Sequence, residues 1–438
     1  MNNEILVYTE KEGTRTRYII DTLFVDFLGF SVKHTSDTQI FTKSSNPKFS
    51  YLNNGLEHIP NIYNSGVIET DRIFNIDVSL PAEFKTQELH ISNDLLCDSF
   101  FLLSRAEEYS SKEHDEHGRF PASASVLSQK EISEKPLTDI YAASLSYWIQ
   151  SHFPQLQPQP KSATSLLSFD IDIAWALKNK PLIRQTGAIA RDIISGDFRK
   201  ITQRMAVIKG KTKDPFDVYD ELENLAHATE IPMIFFFQMR SKGKYDKAVN
   251  VKSRDFSELV KRISKFATIG IHPSYSGGQY AENIISEKKI LEDITGIAVK
   301  HSRHHFLKLH IPITPRIMSE AGISDDYTMG YADASGWRAG TCKPFKIFDI
   351  EQNKTLSLTT HPITIMDGTL GEYLNLSHGQ AFEKIRELYS VTQQYGGEFI
   401  PLWHNETLSD TGKWTEWKNL VFDPMIQLIA GNNNNTQK

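Results

Sequence analysis

The chain has 438 residues, of which 39% are hydrophobic, 11% aromatic and 23% charged, and its formal net charge is −6. This composition is typical of a folded globular protein and excludes collagen-like repeats, coiled coils and largely disordered chains. The acidic balance argues against a nucleic-acid partner, which needs a concentrated basic face. Two cysteines are too few for a disulfide framework or a cysteine-based zinc site.

The first third of the chain predicts two consecutive regions. Residues 1–92 contain short strand-like runs around a mostly apolar stretch, which favours a small α/β or α+β accessory domain. Residues 93–161 contain two helix-like segments separated by a charge-dense stretch, and they end in a sequence rich in Pro, Gln and Ser. We therefore expect a helical connector followed by a linker.

From residue 162 to 430 the pattern alternates between short apolar strands and amphipathic helices, which predicts a mainly parallel α/β sheet, open or closed into a barrel. The predicted strands are 166–171, 231–237, 267–271, 356–358 and 398–403, and the predicted helices are 217–229, 256–266, 282–294 and 380–394. Residues 431–438 are rich in Asn and predict a disordered tail.

The sequence also bears on the cellular compartment. Its first residues lack a basic stretch followed by an apolar one, and no apolar run approaches the roughly 18–20 residues that span a bilayer. We therefore expect a cytoplasmic protein without a transmembrane segment.

Polar residues follow several of the predicted strands. Asp170 and Asp172 are two positions apart, so a strand presents both carboxylates on one face, where they are costly unless a cation or a proton lies between them. A strand-end pair that faces solvent is the alternative. His272 leaves a buried strand and enters a Gly/Ser-rich loop, where it suits a ligand, a proton carrier or a structural role. Adjacent His304 and His305 point in different directions, so at most one faces a common site.

Competing motifs are missing from the sequence. There is no complete phosphate-binding loop, no GxSxG nucleophile elbow, no HExxH and no GxGxxG after a strand. The remaining pattern is Asp and His from separate strand ends, which suits zinc or a similar divalent ion. Asp367, near His361, forms a further and weaker candidate.

Five short blocks stand in a fixed order within residues 164–425. They read Phe169-Asp170-x-Asp172, Gly270-x-His272, Arg303, Asp333-x-x-x-Trp337 and Leu402-x-His404. Their order and placement resemble the NodB-type polysaccharide deacetylases, carbohydrate esterase family 4. The resemblance implies a distorted (β/α) barrel and metal-dependent hydrolysis of N-acetyl groups on a sugar or glycan precursor, and it leaves the first 160 residues unexplained.

The resemblance implies a role for each block. Asp170 is expected to be the general base and Arg303 the residue that orients it. Asp333 and Trp337 are expected to support the site, and His404 to protonate the leaving amine.

The metal ligands implied by the resemblance are Asp172 and His272. The family places a second ligand histidine four residues after the first, and this sequence has Ser276 there. A hydroxyl is a poor zinc ligand. His305 or its neighbour His304 is the nearest candidate to take the place of the missing ligand histidine.

Aromatic side chains near the blocks are candidates for stacking on sugar rings, although such residues are at least as often part of the core. They are Trp175, Tyr275, Trp337 and Trp403.

Three functions remain open on this evidence. The first is a metal-dependent hydrolase, with zinc as the expected divalent ion, that deacetylates an N-acetylated sugar or glycan precursor. The second is a catalytically degenerate carbohydrate-binding or scaffold protein, in which the N-terminal domain recruits a second copy or a partner in glycan assembly. The third applies the same hydrolytic chemistry to a carbon–nitrogen bond outside a sugar.

Overall fold

The computed structural model describes residues 3–70, 72–78, 80, 88–180, 186–187, 193–194, 198–240 and 243–436. Its strands are β1 Glu4–Tyr8, β2 Ser31–Thr35, β3 Lys48–Leu52, β4 Asn61–Tyr63, β5 His90–Ile91, β6 Thr164–Ser165, β7 Leu167–Ile171, β8 Met233–Gln238, β9 Thr268–His272, β10 His301–Ser302, β11 Asp325–Asp326, β12 Phe345–Asp349, β13 Lys354–Thr360, β14 Ile365–Met366, β15 Glu398–Phe399 and β16 Pro401–His404.

The helices follow the same order along the chain. They are α1 Thr14–Ile20, α2 Thr38–Lys43, α3 Leu95–Ser104, α4 Ala106–Ser110, α5 Val126–Gln129, α6 Leu137–His152, α7 Phe198–Ile208, α8 Tyr219–Thr229, α9 Arg254–Ile263, α10 Ala281–Thr295, α11 Ile313–Glu320, α12 His378–Tyr395 and α13 Asp423–Thr436. Short 3₁₀ turns or π-helical segments lie at Asp21–Phe27, Ala122–Ala124, His305–Leu307, Thr369–Tyr373, Thr407–Ser409, Gly412–Trp414 and Lys418–Phe422.

The N-terminal sheet is parallel and has the order β2-β1-β3-β4-β5. The helices of the predicted connector pack on it. Helix α3 begins after Asp94, whose side chain accepts from the backbone N–H of Cys97 and from the hydroxyl of Tyr51 at 2.7 Å. From α6, the ring of Trp148 lies 6.0 Å from that of Phe49. The connector therefore shares a core with the N-terminal sheet.

The second sheet has the order β12-β13-β11-β10-β9-β8-β7-β16-β14, and its neighbours are parallel except for β12 and β13. Its interior strand β8 reads Met-Ile-Phe-Phe-Phe-Gln and is buried along its whole length, as expected for a strand covered on both faces. The predicted α/β class with parallel strands is confirmed.

The second sheet is strongly curled. Strands β13 and β14 lie seven positions apart, which is roughly 34 Å on a flat sheet, yet residues 361–364 are the whole connection between them. Five residue steps reach at most about 18 Å, so β13, which lies next to one edge, must approach β14 at the other edge. Ile363 and Thr364 also bond to the backbones of Met329 and Ile400. Among the described residues no strand ladder joins the two edges, so the predicted barrel is a curled sheet with a seam.

Buried contacts join the two sheets. One apolar cluster runs through both, and the hydroxyl of Tyr18 donates to the carbonyl of Lys346 at 2.7 Å. The rings of Phe100 and Phe348 lie 5.2 Å apart.

Two sequence expectations concern the helices. The last helix continues to Thr436, where a disordered tail was expected from residue 431. None of the helices in the described part of the chain is long and apolar enough to cross a membrane.

Candidate active site

Six neighbouring strands of the curled sheet end at the same edge, and each carries a polar side chain at or just after its end. In sheet order from β10 to β14 these side chains are Arg303, His272, Gln238, the pair Asp170 and Asp172, His404 and Asp367. Ligands of open α/β sheets bind outside the carboxyl ends of the strands. A cavity of about 220 Å³ lies at this edge. It is lined by Asp170, Asp172, His272, His305, Asp367 and His404, with Arg119, Phe306, Tyr373 and Trp414 among its outer residues.

Three of these side chains form a cluster that suits a metal ion. Asp172, His272 and His305 each offer a ligand atom, and these atoms lie within 4.8 Å of one another. Nε2 of His272 is 3.1 Å from Oδ1 of Asp172, and Nε2 of His305 is 3.3 Å from Oδ2. One carboxylate and two imidazoles that leave positions open for water and substrate are typical of catalytic zinc.

The proton positions around Asp172 test whether a cation fits. Nδ1 of His272 donates to the backbone carbonyl of Arg303 at 2.6 Å, so Nε2 of the neutral ring presents a lone pair to the carboxylate. Two acceptors at 3.1 Å repel each other unless a cation or a second proton lies between them. Oδ1 of Asp172 is also buried and finds no hydrogen-bond partner among the described residues. The donor set therefore fits a divalent ion.

Two polar side chains lie behind His305. Its Nδ1 is 2.7 Å from the amide nitrogen of Gln238 and 3.6 Å from Oδ1 of Asp246. The hydroxyl of Ser276 donates to Oδ2 of Asp246 at 2.8 Å. Ser276 therefore lies outside the three-residue cluster, because its hydroxyl is bound to the carboxylate that supports His305.

The charges of the cluster are strongly coupled. Burial disfavours the charged ring of His305, but Asp172 and Asp246 outweigh burial and raise its pKa to about 9. Burial would likewise raise the pKa of Asp172, but His305 and His272 hold it well below its usual range. A cluster with this potential favours bound positive charge.

Asp170 is held by Arg303 beside the cluster. Nη1 of Arg303 donates to Oδ1 of Asp170 at 2.9 Å, and its other nitrogens donate to Ser168 and to the carbonyl of Tyr327. Arg303 is fully buried and Asp170 is almost so. The second oxygen of Asp170 lies 3.8 Å from Nε2 of His272, so this carboxylate borders both the cavity and the cluster.

His404 faces the same cavity and pairs with Asp367. Its Nδ1 lies 2.8 Å from Oδ1 of Asp367, while Oδ2 accepts from the backbone N–H of His404 at 2.7 Å and from the hydroxyl of Thr407. Burial disfavours the imidazolium, but Asp367 together with Asp172 and Asp170 raises the pKa of His404 to about 10. Nε2 is therefore the ring nitrogen available to a molecule in the cavity, and it carries a proton at neutral pH.

Asp333 does not lie with these residues. It is exposed and absent from the cavity wall, because its segment folds onto the connector, where the N–H of Trp337 donates to the carbonyl of Ser133 at 2.9 Å. Asp333 therefore lies outside the candidate site, whereas Asp367 lines its cavity.

The predicted stacking residues are also placed differently. Trp175, Trp337 and Trp403 are at most 3% exposed and belong to the main core, so they offer no face to a sugar ring. Tyr275 contacts Phe306 beside the cavity. The aromatic residues of the cavity itself are Phe306, Tyr373 and Trp414.

Sequence reasoning undervalued Asp367 and missed the support behind His305. Asp367 directly follows the short strand β14, which is the same signal that singled out the other strand ends. Gln238 ends β8, the strand best predicted from the sequence. Asp246 lies in the loop beyond it and carried no comparable signal.

A family model and several solved structures are similar to parts of this chain. The model of DUF7033, described as a family of unknown function, matches residues 5–154. No curated protein matches the sequence.

Solved structures match at low identity. A "putative polysaccharide deacetylase" from Mycobacterium smegmatis is 14% identical over 63% of this chain and 92% of its own, with a TM-score of 0.40. The CE4 family pseudoenzyme BA3943 from Bacillus anthracis is 11% identical over 63% of each chain, with a TM-score of 0.27. IcaB from Ammonifex degensii is 15% identical over 40% of this chain and 86% of its own, with a TM-score of 0.23. TM-scores this low do not establish a shared fold.

Proposed function

We propose that the protein is a metal-dependent hydrolase that removes N-acetyl groups from a sugar or glycan precursor. The observation that carries the proposal is the arrangement around one cavity. The cluster of Asp172, His272 and His305 lies beside a carboxylate, Asp170, and the imidazole of His404, which pairs with Asp367, shares the same cavity. Hydrolysis of an amide needs such a base and such an acid.

The donor atoms suit zinc or a similar divalent ion held by Asp172, His272 and His305. When bound, such an ion supplies Lewis acidity toward the acetyl carbonyl and lowers the pKa of a water molecule. The remaining steps belong to side chains of this chain.

Asp170 accepts the proton of the attacking water. Arg303 occupies its Oδ1 and leaves Oδ2 toward the cluster, so the carboxylate is oriented without being blocked. His404 then donates the proton of Nε2 to the nitrogen of the leaving amine, and Asp367 stabilises the imidazolium beforehand.

The sugar substrate is supported by the five-block resemblance and by the cavity wall. Tyr373 is 47% exposed and Phe306 is partly exposed, so both offer faces that can pack on a pyranose ring. The buried tryptophans give no such support.

Acetate release from a panel of N-acetylated saccharides, with zinc or cobalt added, tests the proposal. A parallel panel of N-acetylated amines without a sugar separates the substrate classes. Release that Asp170→Asn abolishes supports a hydrolase. No release from either panel by metal-loaded protein overturns the proposal and favours a catalytically degenerate binding protein.

A further inference from the structure

A loop of the connector reaches the active-site cavity. In residues 115–120 the side chain of Asp115 accepts from the backbone N–H groups of His117 and Arg119 at 2.9 and 2.8 Å, and from Nε of Arg119 at 2.6 Å. These bonds fold the loop on itself and fix the direction of the guanidinium. Arg119 is 7% exposed and lines the cavity, although its segment has the composition of a solvated, charged stretch.

Arg119 joins two walls of the cavity. Its Nη1 donates to the backbone carbonyl of Phe306 at 2.9 Å, and its Nη2 donates to the hydroxyl of Tyr373 at 3.3 Å. Phe306 follows the proposed ligand His305 in the chain. Tyr373 ends the π-helical segment that begins two residues after Asp367. One side chain therefore contacts both the metal-binding wall and the wall that holds the imidazolium.

The turn held by Arg119 has an unusual backbone. Phe306 and Leu307 have φ values of 63° and 51°, a left-handed region that bulky residues rarely adopt without support. The ring of His117, from the same connector loop, lies 4.5 Å from the ring of Phe306. Because Phe306 is bonded directly to His305, the conformation of this turn sets the direction in which the imidazole leaves the backbone.

We propose that Arg119 is a positioning residue through which the N-terminal third of the chain sets the metal affinity of the active site. The inference rests on the metal site of the proposed function. It gives residues 5–154 a role in that site beyond a structural accessory, because the guanidinium holds the turn that orients His305.

The experiment compares full-length Arg119→Ala and Arg119→Lys with Arg15→Ala. Arg15 is a matched control because it is also buried and also joins the N-terminal part to the second sheet, through the carbonyl of Ile350 and the side chain of Asn353, away from the cavity. Co²⁺ titration gives the affinity, the visible spectrum of the bound Co²⁺ reports the ligand geometry, and thermal unfolding reports the fold.

We expect Arg119→Ala to weaken Co²⁺ binding about tenfold or more, as removal of groups behind metal ligands commonly does, and to alter the Co²⁺ spectrum. Arg119→Lys should recover part of the affinity, because an ammonium reaches one acceptor but does not bridge two walls. If the alanine variant does not fold, the lysine variant carries the comparison. Arg15→Ala should keep the wild-type affinity and spectrum.

Two outcomes overturn this inference and leave the proposed function standing. One is wild-type affinity and spectrum in both Arg119 variants. The other is an equal loss of affinity in Arg119→Ala and Arg15→Ala, which points to general destabilisation. A wild-type protein that binds neither Co²⁺ nor Zn²⁺ is a different failure, because it removes the proposed function together with the inference.

Discussion

The hydroxyl of Ser276 donates a hydrogen bond to Oδ2 of Asp246 over 2.8 Å. Ser276 occupies the position at which the NodB-type motif carries its second ligand histidine. Here the serine supports a carboxylate behind His305, which enters the cluster from a neighbouring strand end. Asp246 therefore links Ser276 to His305, and the serine stays outside the cluster.

His305 is expected to be required for metal binding, whereas its neighbour His304 is not. The ring of His304 is turned away from the cluster and bonds to the carbonyl of Gly278 at 2.9 Å. Elemental analysis of the purified variants should find no stoichiometric metal in His305→Ala and a wild-type content in folded His304→Ala. Metal retained in His305→Ala would show that another group completes the site.

Asp246→Asn should weaken metal binding by roughly 10- to 100-fold, since the amide keeps an acceptor behind His305 but loses the negative charge. Ser276→Ala should have a smaller effect in the same direction, because it removes one of several hydrogen bonds to Asp246. Competition with a chelator measures both affinities. A larger loss in Ser276→Ala than in Asp246→Asn contradicts this order and favours direct ligation by the serine.

Asp170→Asn should lower acetate release by roughly 10²- to 10⁴-fold, because the amide cannot accept the proton of water. The amide oxygen still accepts from Arg303, so the buried guanidinium keeps a partner and the fold is retained. Metal content should remain at the wild-type level. A variant that loses metal together with activity would place Asp170 among the ligands.

The pH dependence of hydrolysis should follow the charge of His404. A general acid works only while protonated, so activity should persist at neutral pH and fall as pH rises through the His404 pKa of about 10. Asp367→Asn removes the carboxylate that raises this pKa, and the alkaline limb should move toward the ordinary histidine value near 6.5. The pH–rate profiles of the wild-type protein and the variant measure this shift. If the alkaline limb does not move, its pKa belongs to a group other than His404.

Tyr373→Ala should raise the KM for a saccharide, because Tyr373 is an exposed aromatic face of the cavity. Trp403→Phe should leave KM unchanged, since Trp403 is buried against Phe422 in the core. In the part of the chain that the structure describes its indole N–H has no hydrogen-bond partner, so the substitution leaves no new unpaired group. Saturation kinetics of both variants provide the comparison. A KM effect confined to Trp403→Phe would show that Trp403, and not Tyr373, contacts the sugar.

The site residues that the sequence predicts are those that follow the apolar strands of the α/β pattern. Asp170, Asp172, His272 and His404 are recognisable because each lies at the end of an apolar run, and parallel strands bring their carboxyl ends to one edge. The choice between His304 and His305 is not encoded in this way. It depends on the left-handed turn at Phe306, which is stabilised by residues nearly 190 positions earlier.

Tertiary packing decided the other differences. The tryptophans near the five blocks have the flat aromatic faces that stack on sugar rings. Such side chains pack equally well in a hydrophobic core, and the structure buries them there. Asp333 has the expected spacing to Trp337, yet its segment is drawn onto the connector. Spacing along the chain does not report which of two nearby surfaces a loop will join.

The contacts between the two sheets have a consequence for how the chain unfolds. Tyr18 and Phe100 are buried against the strand that carries Lys346 and Phe348, so separating the sheets exposes apolar surface on both sides. Unfolding the N-terminal third alone would expose this apolar surface without the gain in conformational entropy that comes from unfolding the rest of the chain. Heat should therefore melt the whole protein in one cooperative transition, and proteolysis should yield no stable fragment that begins near residue 162.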